Sequence, residues 1–523
     1  MSNLLLAPDV VLAMAARSDE QQSTGQLLSG QHLSGQPTPA LQADAAILAD
    51  KPWVYAGSAA ALHRQATEHW GDASRLDRIT EQTQWLSALG SDLTSRDGLD
   101  LATSSLAAAC NRLGPEAVLL TDDAHLLTAI PQATASAGFA PQQSDAIDFI
   151  DLKRQQTLIR DDIEQRLAAV LRHGRYVLGP EMIELEDRLA DYTGAAHAIT
   201  VSSGTDALVI ALMALEIGPG DEVITTPYTW ISTAEAVSLV GATPVFVDID
   251  ETTFNIDPAG IEAAITSRTR AIMPVSLYGQ CADLTAINAI AVAHDLPVIE
   301  DAAQSFGATH HGGRSCGLTT IGTTSFFPSK PLGGYGDGGA CFTSDADLAE
   351  RMTQIRVHGQ KRKHEHPIIG MNGRMDTMQA AVVLSKMAIF DDECRARRTV
   401  AARYEKLLAE RGLGEIARPQ IVPGNESVYA QYTIRCENPD QLNEGLAAAG
   451  VPSVSYYIVP VPFQAAYADL GHRPGDFPVC ERVATTSLSL PMSPYLDAAD
   501  QTRIVDAIEQ AVVTSRGSQR RAA

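Results

Sequence analysis

The chain has 523 residues, 45% of them apolar, and a formal net charge of −24; that is ample material for cores and more than one ordinary domain holds. The acidic balance argues against a nucleic-acid or anionic-membrane surface, since both favour clustered Lys and Arg. Seven widely spaced cysteines, odd in number and without a Cys-x-x-Cys pair, point to buried thiols in a reducing compartment rather than to disulfides or zinc.

The first apolar run, Leu4 to Ala16, is interrupted by Pro8-Asp9 and has no basic segment before it. It does not read as a signal peptide, and no other run is long enough to span a membrane. The cytoplasm is the expected location. Residues 18–40 are rich in Ser, Gly, Gln and Pro and repeat Leu28-Ser-Gly-Gln-His as Leu33-Ser-Gly-Gln-Pro. Such a stretch cannot build a core and reads as an insertion within a first domain, 1–130. The polar stretch 131–146 reads as an interdomain linker.

After it the pattern becomes α/β. Leu158 to Leu171 has helical spacing. Short apolar runs follow at His197–Val201, Glu222–Thr226, Pro244–Val247, Ala271–Val275, Pro297–Ile299, Thr324–Phe327 and Ala340–Thr343, most of them separated by helical stretches. This alternation predicts a mainly parallel central sheet covered on both faces. The large domain is expected over 147–385, a smaller C-terminal α+β domain over 386–512, and a frayed tail over 513–523. In parallel sheets ligands gather at the carboxyl ends of the strands, and the polar motifs of this chain fall there.

Ser202-Ser203-Gly204-Thr205 precedes the apolar stretch Ala207–Leu215. A helix start offers free N–H groups and a positive dipole end, Gly204 admits close approach of a phosphate, and Thr205 adds a hydroxyl. The plainer reading is an ordinary N-cap. Tyr228-Thr-Trp230 puts aromatics at a strand end, where a ring can stack on a cofactor or simply fill the core. Asp301 ends an apolar run, so its carboxylate needs a cationic partner. A protonated pyridine nitrogen would supply one. Gln304, three residues on, could hydrogen-bond such a ring's oxygen. Ser325 can cap a phosphate. Lys330 sits in Ser325-Phe-Phe-Pro-Ser-Lys-Pro-Leu-Gly-Gly-Tyr-Gly-Asp-Gly-Gly339. A lysine there can form a Schiff base and move a proton, provided burial lowers its pKa. A phosphate cradle, an acid and a lysine in this order suit pyridoxal 5'-phosphate (PLP). Lys361-Arg-Lys-His364 is a local basic cluster that reads as a solvated loop. Asn372 and Arg374 precede another apolar helix. They read as capping and a surface ion pair, or, for the arginine fork, as a carboxylate contact.

Together these motifs resemble the DegT-type sugar aminotransferases, which are fold-type-I PLP enzymes. The likeness runs from about Ile147 to about 512 and includes Gly179-Pro-Glu, Pro274-Val-Ser-Leu-Tyr-Gly-Gln-Cys-Ala-Asp283, Ser325–Gly339, Val357-His-Gly-Gln and Gly370-Met-Asn-Gly-Arg374. It is strongest to the branch that acts on UDP-linked 3-oxo-glucuronates in bacterial surface-polysaccharide (O-antigen) synthesis. The resemblance implies Lys330 as Schiff-base lysine, Asp301 on the pyridinium nitrogen, Gln304 near the ring oxygen and Trp230 on the ring face. It implies Gly204, Thr205 and Ser325 on the phosphate. In a homodimer, Asn372 would reach the phosphate and Arg374 the sugar carboxylate of the neighbouring copy. L-glutamate would load the amino group and the UDP-keto-sugar would take it off. No metal site is implied. Family members often carry His-Tyr-Pro where this chain has Tyr456-Tyr457-Ile458, near the substrate mouth, so Tyr457 is a candidate substrate contact. A branch with histidine in place of the lysine performs dehydration, and Lys330 argues against it.

Residues 1–130 lie outside that likeness. Asn3–Ala13, with Asp9, resembles the opening of a PIN-type nuclease domain, and Asp97, Asp100, Asp122 and Asp123 resemble its later acids. Such domains gather carboxylates around a divalent metal, but a middle acid is missing near Ala56–His63. A nuclease module with a passenger enzyme half is a second reading, opposed by the net charge. A nicotinamide oxidoreductase is a third. It needs Gly-x-Gly-x-x-Gly opening a helix, and no helix pattern follows the glycines at 333–339.

Overall fold

In the computed structural model, which describes residues 147–522 and four short strands before them, two compact units divide the chain, Met1–Ser144 and Asp145–Ala523. The first unit contains β1 (Leu4–Leu6), β2 (Trp53–Tyr55), β3 (Val118–Thr121) and β4 (Ala133–Ala135). They pair in parallel in the order β2-β1-β3-β4. β4 falls inside the stretch read as a linker. Composition concealed it, because Ala-Thr-Ala sits among polar and turn-forming neighbours. The acids Asp9, Asp97, Asp100, Asp122 and Asp123 and the insertion 18–40 lie outside the described residues, apart from the strand positions just given.

In the second unit the strands are β5 (His197–Val201), β6 (Glu222–Thr225), β7 (Thr243–Phe246), β8 (Thr269–Met273), β9 (Ile299–Asp301), the short β10 (Thr309–His310) and β11 (Gly313–Arg314), β12 (Ile321–Ser325) and β13 (Gly339–Thr343). Two ladders, β5-β13-β12-β9 and β8-β6-β7, are joined by the parallel bridges Ile272–Val298 and Val275–Asp301. The neighbours are parallel except β13, which runs antiparallel to both β5 and β12. The reason is the connection: the loop 326–338 contains no helix that could carry the chain back over the sheet, so the next strand must return.

Successive side chains of these buried strands enter cores on opposite faces. In β13, Ala340 and Phe342 enter one core and Cys341 the other; in β5, Ala198 enters the first and Ile199 and Val201 the second. A sheet covered on both faces explains why these strands read as continuous apolar runs. Helix Gly204–Ala214 is buried at six positions on the second face. On the first face Phe306 packs against Tyr192, Phe326, Phe342 and Phe390 at centroid distances of 5.4–6.5 Å. A phenylalanine so placed is worth roughly 3–5 kcal/mol against alanine, and it anchors the segment that follows Asp301.

The C-terminal part has its own core. It is built from helix Phe390–Glu410, β15 (Tyr432–Arg435), helix Pro439–Ala448, β16 (Ser487–Leu490) and helix Ala498–Ala522, while the short β14 (Asn425–Glu426) pairs antiparallel with β10. β15 and β16 pair antiparallel, and Tyr404 stacks on Tyr432 at 4.8 Å. The last helix continues through 513–522, the stretch read as a frayed tail. Among the described residues six cysteines are all unpaired, five of them buried, no group of side chains could hold a metal ion, and no helix is long and apolar enough to cross a membrane.

Candidate active site

Four strands of the sheet deliver the polar motifs at their carboxyl ends: β5, β6, β9 and β12. Beyond β5, Ser203 caps helix Gly204–Ala214, its Oγ accepting the Asp206 N–H at 3.0 Å. The capping reading is therefore correct for Ser203. The next two residues have other neighbours. A Cβ on Gly204 would stand 2.6 Å from Cβ of Ser325, so only glycine lets the helix start meet the end of β12 this closely. The Thr205 hydroxyl donates to Ser232 Oγ at 2.9 Å. Gly204, Thr205 and Ser325 thus converge at one helix N-terminus, where backbone N–H groups and dipole favour an anion. Ser232 joins them unannounced by the sequence.

Asp301 closes β9 and is buried. Its Oδ2 accepts from Thr233 Oγ1 at 2.8 Å and its Oδ1 from the Ala303 N–H at 3.2 Å. It forms no ion pair among the described residues. Burial pushes its pKa up, opposed by these two donors and by the charge of Lys330. Burial also pushes the Lys330 pKa down, opposed by the Asp301 charge. A carboxylate without a full counter-ion thus stands beside a lysine biased toward its neutral, nucleophilic form.

Lys330 ends a turn in which its N–H donates to the Phe327 carbonyl at 2.9 Å. The glycines behind it are compact. A Cβ on Gly333 would meet the carbonyl oxygens of Phe327 and Pro328 at 2.6 Å. Helix Thr377–Met387 braces this loop with two side chains. Gln379 Oε1 accepts the Tyr335 N–H at 2.8 Å, and Lys386 Nζ lies 4.5 Å from the Tyr335 ring centroid. Lys386 is buried, which lowers its pKa to about 8 against the raising charge of Glu393.

The aromatic pair after β6 divides. Tyr228 is core, whereas Trp230 is 59% exposed with its ring 6.1 Å from that of Tyr457. Gln304 is buried, its amide held by the Tyr278 N–H at 2.9 Å and by the Tyr457 hydroxyl at 3.1 Å. The loop 371–374 lies beside the cradle through its main chain. Ser202 N–H donates to Gly373 O at 2.9 Å, and Gly373 N–H to Arg356 O at 3.0 Å. Asn372 is exposed and Arg374 half-buried. Neither side chain makes a hydrogen bond or ion pair among the described residues, and the following helix is capped at Asp376 without a side-chain bond. Capping and a surface ion pair are therefore not what these two residues do within the chain. Sequence reading missed Ser232, Thr233, Gln379 and Lys386. The hydroxyl pair Ser232-Thr233 at the start of a short helix is the one local signal that could have exposed two of them.

A family model described as the DegT/DnrJ/EryC1/StrS aminotransferase family matches residues 157–509. A protein of Pseudomonas aeruginosa named UDP-2-acetamido-2-deoxy-3-oxo-D-glucuronate aminotransferase is 56% identical over 353 residues, 68% of this chain and 97% of that protein. A UDP-N-acetyl-3-dehydro-alpha-D-glucosamine 3-aminotransferase of Acidithiobacillus ferrooxidans is 42% identical over 371 residues, 70% and 98% of the two chains. Among solved structures, a DegT DnrJ EryC1 StrS aminotransferase from Brucella abortus superposes with a TM-score of 0.67 at 43% identity, covering 70% of this chain and 99% of that one. The PLP form of a sugar aminotransferase from Streptococcus pneumoniae gives 0.64 at 25% identity, covering 68% and 96%.

Proposed function

The chain belongs to the DegT/DnrJ/EryC1/StrS aminotransferase family, and from that premise we propose that it transfers an amino group from L-glutamate to the 3-keto group of a UDP-linked N-acetylhexosaminuronic acid. PLP is the cofactor, and the product serves bacterial surface-polysaccharide synthesis. The observation that carries the reading is Asp301: a buried carboxylate with no ion-pair partner among the described residues, beside a lysine of depressed pKa. The names of the relatives from P. aeruginosa and A. ferrooxidans support the UDP-3-keto-sugar substrate.

The residues fit the cofactor. Because Gly204 carries no Cβ, the helix N-terminus packs directly against Ser325, so the backbone N–H groups and the Ser325 hydroxyl stand together where a phosphate would bind. Thr205 and Ser325 would add hydroxyls, Asp301 would pair with the ring nitrogen, Gln304 would face the ring oxygen, Trp230 the ring face, and Lys330 would hold the aldehyde carbon. Bound there, PLP supplies an electron sink for the carbon that loses its proton. Asp301 keeps that sink cationic, since a positive charge offsets its burial. Lys330 carries the proton between substrate and cofactor, because burial brings its pKa toward neutrality. Tyr457 lines the sugar side.

Asn372 and Arg374 have no side-chain hydrogen bond or ion pair among the described residues, which supports a homodimer in which they complete the neighbour's site, on the phosphate and the sugar carboxylate respectively. The domain division 147–385 and 386–512 and a cytoplasmic location belong to the same reading. Arg374→Ala tests the substrate class. A lost charge-assisted contact of about 1.5–3 kcal/mol lowers kcat/KM roughly 10–100-fold. The loss is expected for the UDP-3-oxo-glucuronate and not for a neutral UDP-3-keto-sugar. Equal losses on both sugars would remove the carboxylate role.

A further inference from the structure

Gln304 does not stand alone under the site. It is one corner of a closed hydrogen-bonded circuit whose other corners are tyrosines. The Tyr278 N–H donates to Gln304 Oε1 at 2.9 Å, and Gln304 Nε2 donates to the Tyr457 hydroxyl at 3.1 Å. The Tyr457 N–H donates to Tyr228 Oη at 3.1 Å. Tyr278 Oη lies 3.1 Å from Tyr228 Oη and closes the ring. Both phenols also converge on one carbonyl: Tyr228 donates to Tyr456 O, and Tyr278 Oη is 2.5 Å from the same atom.

Three separate parts of the chain meet here. Tyr228 follows β6 and is 0% exposed, Tyr278 follows β8 and is 7% exposed, and Tyr456-Tyr457 lies between helices Pro439–Ala448 and Pro478–Thr486. Tyr278 holds a left-handed φ of 55°, unusual for a tyrosine, and it is this backbone turn that carries its N–H to Gln304. The rings pack edge-to-face, Tyr228 with Tyr278 at 6.4 Å and with Tyr457 at 6.1 Å. Burial keeps the phenols protonated, raising Tyr228 to about 12, so they stay hydrogen donors throughout the working pH range. Buried polar groups that share several hydrogen bonds are held in one arrangement.

We propose that Tyr228 and Tyr278 are positioning residues that hold the Tyr456-Tyr457 segment against Gln304. The side of the site that meets the sugar and the group that meets the cofactor ring are then set by a single circuit. The functional half of this inference rests on the aminotransferase reading given above; the positional half does not. Neither tyrosine need touch substrate. Their hydroxyls act through Tyr457 and through the fixed orientation of the Gln304 amide, whose oxygen is committed to Tyr278 and whose nitrogen points toward Tyr457.

Tyr228→Phe keeps the ring in its core and deletes only the hydroxyl. Two measurements on the full chain separate the two halves. Hydrogen exchange by mass spectrometry on the cofactor-free protein reads the 455–463 backbone: the Tyr457 amide loses its acceptor, and exchange across this segment is expected to rise at least about tenfold, as one buried hydrogen bond is worth roughly that factor. Steady-state kinetics on the UDP-3-keto-sugar then read the function: KM is expected to rise roughly tenfold with kcat within about twofold of the parent. Tyr278→Phe is expected to move both readings the same way, which guards against a folding defect in one variant. Unchanged exchange in 455–463 would overturn the positioning role. Faster exchange with an unchanged KM would overturn the link to the substrate. If the parent protein turns over no keto-sugar at all, the aminotransferase reading fails, while the exchange result still decides whether the circuit holds the segment.

Discussion

Lys330→Ala is expected to lower amino transfer by at least about 10³-fold, since it removes both the covalent attachment point and the proton carrier, and proton transfer alone contributes roughly 10²–10⁴. The fold should survive. Among the described residues the side chain makes no hydrogen bond or ion pair, and the bond that shapes its turn is the main-chain one to Phe327 O. Burial works against the lysine's charge, so alanine also relieves a cost. The compact turn behind it is fixed by the close backbone packing of Gly333 and by Gln379, not by Lys330. Turnover measured together with a thermal midpoint checks both halves: lost activity at an unchanged midpoint is the expected pair. Normal turnover in this variant would remove Lys330 from the chemistry.

Asp301→Asn is expected to cost about 10²–10³ in kcat while the cofactor still binds. Asparagine has the same shape, and its oxygen can still accept the Thr233 hydroxyl. What it lacks is the charge and the second acceptor, which takes the Ala303 N–H. Breaking a buried charge pair costs roughly 3–5 kcal/mol, and each 1.4 kcal/mol felt in the transition state is about tenfold in rate. The pH dependence has a definite sign. A carboxyl whose pKa is raised by burial holds a cation well above that pKa and loses its hold as pH falls through it. Cofactor affinity in the parent should therefore fall on the acid side, and the Asn variant should be flatter there. A kcat within twofold of the parent, or an unaltered acid limb, would rule out the charge pair.

The parts of this site legible in the sequence were those in which chemistry and local pattern coincide. A lysine among glycines, an acid at the end of an apolar run and Ser-Gly-Thr before an apolar helix all mark strand ends. Strand bounds were less legible where strands carry polar residues. β12 begins at Ile321 rather than Thr324, because Thr323 and Thr324 are buried with their hydroxyls spent on the carbonyls of Glu300 and Ala302. β9 extends through Glu300, a buried carboxylate held by Ser276, Ser315 and the Cys316 N–H. Hydropathy cannot see a polar strand whose hydrogen bonds are satisfied elsewhere in the fold. For the same reason Gln379, Lys386 and the tyrosine circuit were invisible: each acts through a partner distant in sequence. The reversed direction of β13 depended on a missing helix in the preceding loop, where a run of glycines says only that the chain turns. The acids of the first unit fall outside the described residues.

The most direct test is the visible spectrum of the purified protein with PLP, recorded before and after L-glutamate. The expected result is an absorption band from the bound cofactor that glutamate bleaches, which reports cofactor, amino donor and the first half of the transfer at once. A protein that shows no such band after added PLP, with Lys330, Asp301 and the Gly204 cradle all intact, would contradict the assignment of this site.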